Sequence, residues 1–255
     1  MPSKVKKKIL KLKESSTLVI NEKSKQLISE GKKVYQFGFG QSPFPVPEKI
    51  VEALKNNAHR KEYLPIQGLP ELRDNISNYL YKRTGNDYPK ENILITPGSK
   101  EAMLLIHIAF NGEIIIPAPG WVSYEPQAEI GSNKVHWLET TRENNWFPTG
   151  KELEKKIKAI GKSKNLILIL NSPNNPSGAV CKNLEELAKV AKKYKIMILS
   201  DEIYTDLTFS NEYNSISKFY PEFTFITGGL SKWCGAGGWR LGFLAVPKKL
   251  TGFLK

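Results

Sequence analysis

The stretch Thr227-Gly-Gly-Leu-Ser-Lys-Trp-Cys-Gly-Ala-Gly-Gly-Trp-Arg-Leu-Gly242 sets Lys232 behind an apolar run and places Arg240 eight residues later among glycines. A lysine that is to condense with an aldehyde needs a neutral amine, so its site must lower its pKa. A guanidinium keeps its charge in any site and can clamp a dianion with its fork of donors. Asp201-Glu-Ile-Tyr204 follows the apolar run Ile196–Ser200. A carboxylate there can keep a pyridine nitrogen protonated, which makes the ring an electron sink, while Tyr204 can hydrogen-bond a phenolic oxygen. Asn171-Ser-Pro-Asn-Asn-Pro-Ser-Gly178 follows Leu166–Leu170, and its X-Pro pairs bias the backbone toward extended forms. Thr96-Pro-Gly-Ser-Lys100 leads from an apolar run into a helical pattern, which offers free backbone N–H groups and a positive dipole end to a phosphate. Taken singly, each of these segments is also an ordinary turn.

The elements that must carry these residues are strands alternating with helices. Apolar runs predict strands over Ile93–Thr96, Glu113–Pro117, Lys134–Leu138, Leu166–Asn171, Ile196–Ser200 and Phe223–Thr227. Helical spacing predicts Ile50–Asn56, Glu71–Arg83, Ser99–Phe110, Lys151–Ile160 and Leu184–Tyr194. Asn183 with Glu186 three positions on predicts a capping box at the start of the last of these. The alternation implies βαβ units and a largely parallel sheet, with ligands at the carboxyl ends of the strands, where the four motifs fall. Pro43, Pro45 and Pro47 mark a loop between an N-terminal arm, residues 1–44, and a large domain, residues 45–255.

Composition narrows the class. A chain of 255 residues with 40% hydrophobic content can bury a sizeable core. Its longest apolar runs are strand-sized, well short of the ~20 residues that span a bilayer. Two cysteines, Cys181 and Cys234, and no signal-peptide pattern fit a reducing, cytoplasmic setting. The net charge of +13 comes from lysines spread along the chain rather than gathered with aromatics, so it points to solubility and not to nucleic acid. The densest run, Lys4, Lys6, Lys7, Lys8, Lys11 and Lys13 around Val5, Ile9 and Leu12, reads as a solvated helix with one apolar stripe. His59, His107 and His136 have no metal-ligand spacing, so no metal is expected.

In their order and separations, Pro-Gly-Ser-Lys, Asn-Asn-Pro-Ser-Gly, Asp-Glu-Ile-Tyr, Ser-Lys and Gly-Trp-Arg-Leu-Gly resemble the class I/II aminotransferases of fold type I, from about Gly40 to Pro247. The resemblance implies an α/β large domain with a mostly parallel sheet between helices, an arm that forms part of a small domain, and pyridoxal 5'-phosphate as cofactor. It implies that Lys232 forms the Schiff base and then shuttles the α-proton, that Asp201 pairs with the pyridine nitrogen, and that Asn175 and Tyr204 meet the phenolic oxygen. Gly98, Ser99, Lys100 and Arg240 would hold the phosphate. Trp121, in Pro-Gly-Trp-Val-Ser-Tyr124, would stack on the ring, and Gly40 would border the substrate carboxylate beside Trp121 and Asn175. Tyr63 would reach the neighbouring site of a homodimer. The implied reaction moves an amino group from an L-amino acid to a 2-oxo acid, aspartate-type or broad. A carbon–sulfur β-lyase or a cofactor-binding domain without turnover shares the same motifs. Two departures stand out: Gly229 occupies a position where the family usually has Ser or Thr, and the family's C-terminal domain, with its carboxylate-gripping arginine, has no counterpart before Lys255. The chain is thus expected to be a fragment or a natural truncation.

Overall fold

The computed structural model describes residues 4–10, 12, 14–38, 40–161, 164–209 and 213–254. Among them, seven strands form one sheet: β1 Ile93–Pro97, β2 Glu113–Ala118, β3 Val135–Glu139, β4 Leu166–Asn171, β5 Met197–Asp201, β6 Thr224–Gly229 and β7 Leu241–Ala245, in the order β1-β7-β6-β5-β4-β2-β3. The helices are α1 Lys7–Leu10, α2 Ser16–Ser29, α3 Glu48–Asn57, α4 Pro70–Thr84, α5 Ser99–Ala109, α6 Tyr124–Gly131, α7 Gly150–Ile160 and α8 Leu184–Tyr194.

The central strand β4 is apolar at five consecutive positions, and all six of its residues are buried. That pattern suits a strand covered on both faces. One cover comes from α7 and α8, whose Leu153, Ile157, Leu187 and Ala191 lie against Leu166, Leu168, Leu170 and Ile198. The other comes from α5 and α6, through Ala102, Met103, Ile106, Tyr124 and Ala128 against Ile167, Ile169, Leu199 and Phe225. Each large side chain taken fully out of water contributes about 1.5–3 kcal/mol, so these two layers hold the strand ends in fixed register. A third cluster closes the sheet edge, where Leu80 of α4 and Tyr88 meet Ile93, Ile226 and Ala245.

Six of the seven strands point the same way, as expected for a mostly parallel sheet, and β7 is reversed, pairing antiparallel with both β6 and β1. Sequence reading places the start of Leu241–Ala245 in a glycine-rich turn because Gly242 breaks a run too short to show alternation. Helix α6 also escapes it. Its Pro126 lies in the first turn, where a missing N–H costs nothing, although in sequence a proline reads as a breaker. The capping box expected at α8 does not form: Asn183 instead donates its amide to Pro148 O at 2.9 Å and to Glu186 Oε2 at 3.1 Å. A capping box occurs at α7, where Thr149 Oγ1 accepts from Glu152 N and Glu152 Oε2 accepts from Thr149 N.

The arm is only lightly anchored. In α2, Leu18, Val19 and Ile20 are about half exposed. Of the stripe expected in the lysine-rich run, Val5 and Ile9 are exposed and Leu12 is half-buried, and Lys11 and Lys13 lie outside the described residues. Lys8 Nζ donates to Ile130 O and Ser132 Oγ, both at 2.6 Å, tying the arm to the end of α6. No helix among the described residues is long and apolar enough to cross a membrane.

Candidate active site

The sheet register alone aligns the ends of three strands. Asn171, the last residue of β4, stands opposite Asp201, the last of β5, and Asp201 stands opposite Thr227 of β6. Asp201 is only 3% exposed. Its Oδ2 accepts from the Tyr124 hydroxyl at 2.7 Å and its Oδ1 from Ile203 N at 3.3 Å. Burial pushes the carboxyl pKa up; the Tyr124 and Ile203 hydrogen bonds, the Thr227 side chain and the charge of Lys232 act against that rise.

Asn171 is the splice between strand and loop. Its Nδ2 donates to Asp201 O at 2.9 Å and its Oδ1 accepts from Asn175 N at 2.7 Å. The 171–178 loop therefore turns back over the strand ends and brings Asn175 Nδ2 to the Tyr204 hydroxyl, 3.1 Å away. Burial raises the Tyr204 pKa, and the Asn175 hydrogen bond opposes it.

Lys232 enters from the loop after β6. Its Nζ lies 5.5 Å from the centre of the Tyr204 ring and donates to Gly40 O at 2.8 Å. Its pKa is lowered, mainly by burial; the Asp201 charge raises it and the Arg240 charge lowers it further. A depressed ammonium pKa is what a condensing amine requires.

The fourth edge is built by close backbone approach. Gly242 sits where a Cβ would overlap Gly98 and the backbone nitrogen of Ser99, so β7 lies against the start of α5 only because that residue has no side chain. Gly98, at φ +86°, faces the Arg240 guanidinium, which an added Cβ would strike. Arg240 itself holds a left-handed backbone, φ +55°, and donates to Gly237 O at 2.7 Å and Pro97 O at 3.1 Å. A fixed guanidinium thus stands beside the start of α5, where Glu101 N is tied back to Gly98 O and the N–H groups ahead of it lie before the first full helical turn. Gly229 also has a packing reason: a Cβ there would meet Leu241 O at 2.6 Å and Gly242 Cα at 2.9 Å.

The remaining expected residues fall into two groups. Trp121 packs edge-on against Tyr124, with ring centres 5.4 Å apart, and is half-buried beside the site. Lys100 Nζ lies 5.4 Å from the centre of the Trp121 ring, so its charge caps the tryptophan. Tyr63 stands apart, fully exposed. Sequence reading assigns no role to Tyr124, Asn171 or Gly242. Tyr124 is accessible to it only as the polar aromatic three residues after Trp121; the other two owe their positions to strand register.

The chain is 33% identical to the aspartate aminotransferase of Thermotoga maritima over 97% of its own length and 67% of that protein. It is 31% identical to the asparagine–oxo-acid transaminase of Streptococcus mutans over 98% and 66% respectively. The solved aspartate aminotransferase of Thermus thermophilus with maleate superposes with a TM-score of 0.92 at 29% identity, covering 99% of this chain and 67% of that one. The chain spans about two thirds of the length of these relatives. Residues 32–255 match the sequence model for aminotransferase class I and II, and the chain belongs to that family.

Proposed function

We propose that this chain forms the cofactor-holding part of an aminotransferase that moves an amino group from an L-amino acid to a 2-oxo acid. The family's cofactor is pyridoxal 5'-phosphate, and the residues present fit it. Asp201 is a buried carboxylate whose hydrogen-bond partners are uncharged, so a protonated ring nitrogen would complete it. Gly98 keeps open the space beside Arg240 that a Cβ would fill, at a helix start suited to a phosphate. When bound, the cofactor supplies an aldehyde for the lysine amine and a cationic heterocycle that withdraws electrons from the amino acid's α-carbon.

The chain's own residues divide the remaining work. Lys232, whose ammonium pKa burial lowers, would take the proton from the α-carbon of the amino acid and deliver it to the carbon on the cofactor side of the shared nitrogen. Asp201 keeps the ring nitrogen protonated, and Asn175 with Tyr204 hydrogen-bonds the phenolic oxygen. Arg240, Ser99 and the backbone at Gly98 and Lys100 anchor the phosphate, while Trp121 covers one face of the ring. Gly40, whose carbonyl already meets Lys232, borders the substrate carboxylate. The observation that carries this reading is the arrival of a depressed lysine, a buried aspartate and a fixed guanidinium at one end of β4, β5, β6 and β7.

The names of the relatives support an aspartate-type or broad donor range. In the proposed layout residues 1–44 are the arm and part of a small domain and residues 45–255 the large domain. The assembly is a homodimer in which Tyr63 reaches the second site; its full exposure, with Ile66 at 98% and Leu64 at 54%, suits a surface covered by a second copy. We assign the protein to the cytoplasm on its two unpaired cysteines.

The test is covalent trapping. The chain mixed with pyridoxal phosphate and reduced with borohydride should carry one stoichiometric adduct on the peptide holding Lys232, and Lys232→Ala should lose it. An adduct spread over surface lysines, or none, overturns the proposal. Amino acids supplied with 2-oxoglutarate should then yield glutamate, whereas pyruvate from cystathionine would mark a β-lyase.

A further inference from the structure

Among the described residues, the short hydrogen bond that reaches the Asp201 carboxylate from outside its own loop comes from Tyr124, while the Thr227 side chain faces it from β6. It is the first residue of α6, 2% exposed, with its hydroxyl 2.7 Å from Asp201 Oδ2. Its ring meets Trp121 edge-on, the two planes at 82°. One buried side chain therefore touches both the aromatic that covers the cofactor face and the carboxylate that faces the ring nitrogen. The contact to Asp201 from Ile203 N is longer at 3.3 Å and belongs to the same turn. We infer that Tyr124 is a positioning residue for Asp201, holding its carboxylate ionised and aimed while fixing Trp121 at right angles to the phenol. The inference rests on the cofactor reading above and adds a residue to it.

The chemistry favours a tyrosine in this place. Burial holds its phenol well above its ordinary pKa, so it is a neutral donor at neutral pH. A neutral donor stabilises the anion of Asp201 without adding a charge to the site. The titratable and charged groups facing Asp201 are Tyr124 from α6, Glu202 and Tyr204 from the turn after β5, and Lys232 from the loop after β6. Of these, Tyr124 is the one whose hydroxyl donates to the carboxylate itself.

Tyr124→Phe removes the hydroxyl and leaves the ring against Trp121. Its first readout needs no cofactor. The Asp201 carboxyl, followed by carbon-13 NMR against pH, should titrate at higher pH in the variant than in the parent. The second is affinity for pyridoxal phosphate, which should fall at least about tenfold, the size of a lost hydrogen bond to a charged group. The third is a double-mutant cycle with Asp201→Asn. If Tyr124 acts through Asp201, removing its hydroxyl from the Asp201→Asn variant changes affinity little, whereas additive losses would assign it a packing role and overturn the inference. An unchanged Asp201 titration overturns it whatever the cofactor does. A shifted titration in a chain that never traps cofactor on Lys232 would leave the Tyr124–Asp201 coupling standing and refute the functional reading alone.

Discussion

His107 offers a stability test that is independent of the active site. It lies on α5, fully buried, and neither ring nitrogen makes a well-formed hydrogen bond, the Asn133 side chain being the group that faces the ring. Burial lowers its pKa from 6.5 to about 4, with the Asn133 side chain acting weakly the other way. The folded pKa is below the unfolded one, so the unfolded chain takes up a proton first as pH falls. The stability tied to a neutral His107 is present above pH 6.5 and lost between there and about pH 4. Proton uptake by the unfolded chain over that interval costs about 1.4 kcal/mol for each pH unit, a loss of about 2 kcal/mol by pH 5 and about 3 kcal/mol by pH 4. His107→Leu keeps an apolar side chain of similar size and removes both the titration and the two ring nitrogens. Urea unfolding of parent and variant from pH 8 to pH 4 should give curves that separate below pH 6.5, the variant gaining relative stability by those amounts while the shared carboxylates cancel. Parallel curves across the whole range would refute the reasoning, because they would mean that His107 is protonated as easily inside the fold as outside it.

Two further substitutions test the anion cradle. Gly229→Ser restores the hydroxyl that the family usually carries, but its Cβ would press on Leu241 O and Gly242 Cα, so it should destabilise the chain by about 1–3 kcal/mol in urea unfolding without tightening cofactor binding. Arg240→Lys keeps the charge but cannot reach both Gly237 O and Pro97 O, and affinity for pyridoxal phosphate, followed by absorbance titration, should fall about tenfold or more.

The motifs and their chemistry were legible in the linear chain because each follows a strand whose apolar run is unmistakable. Leu166–Asn171 is strand from its first residue to its last, and a chain that alternates such runs with amphipathic helices has few ways to fold other than an α/β sheet with ligands at the strand ends. Lys232, Asp201, Asn175 and Arg240 could thus be named from their order along the chain. Their mutual geometry could not, because it is set by contacts between residues distant in sequence. Strand register put Asn171 opposite Asp201, and the packing of α6 brought Tyr124 across 77 positions to the same carboxylate. The reversal of β7 is of the same kind. A five-residue strand with a glycine in it carries no periodic signal, and it runs antiparallel because hydrogen bonds to β1 and β6 claim it. Local sequence, then, chose the elements and the reacting groups, whose propensities and side-chain chemistry act within a few residues. Burial, which is a property of the assembled layers, decided which of those groups lose water and so which of them are depressed, raised or held in place.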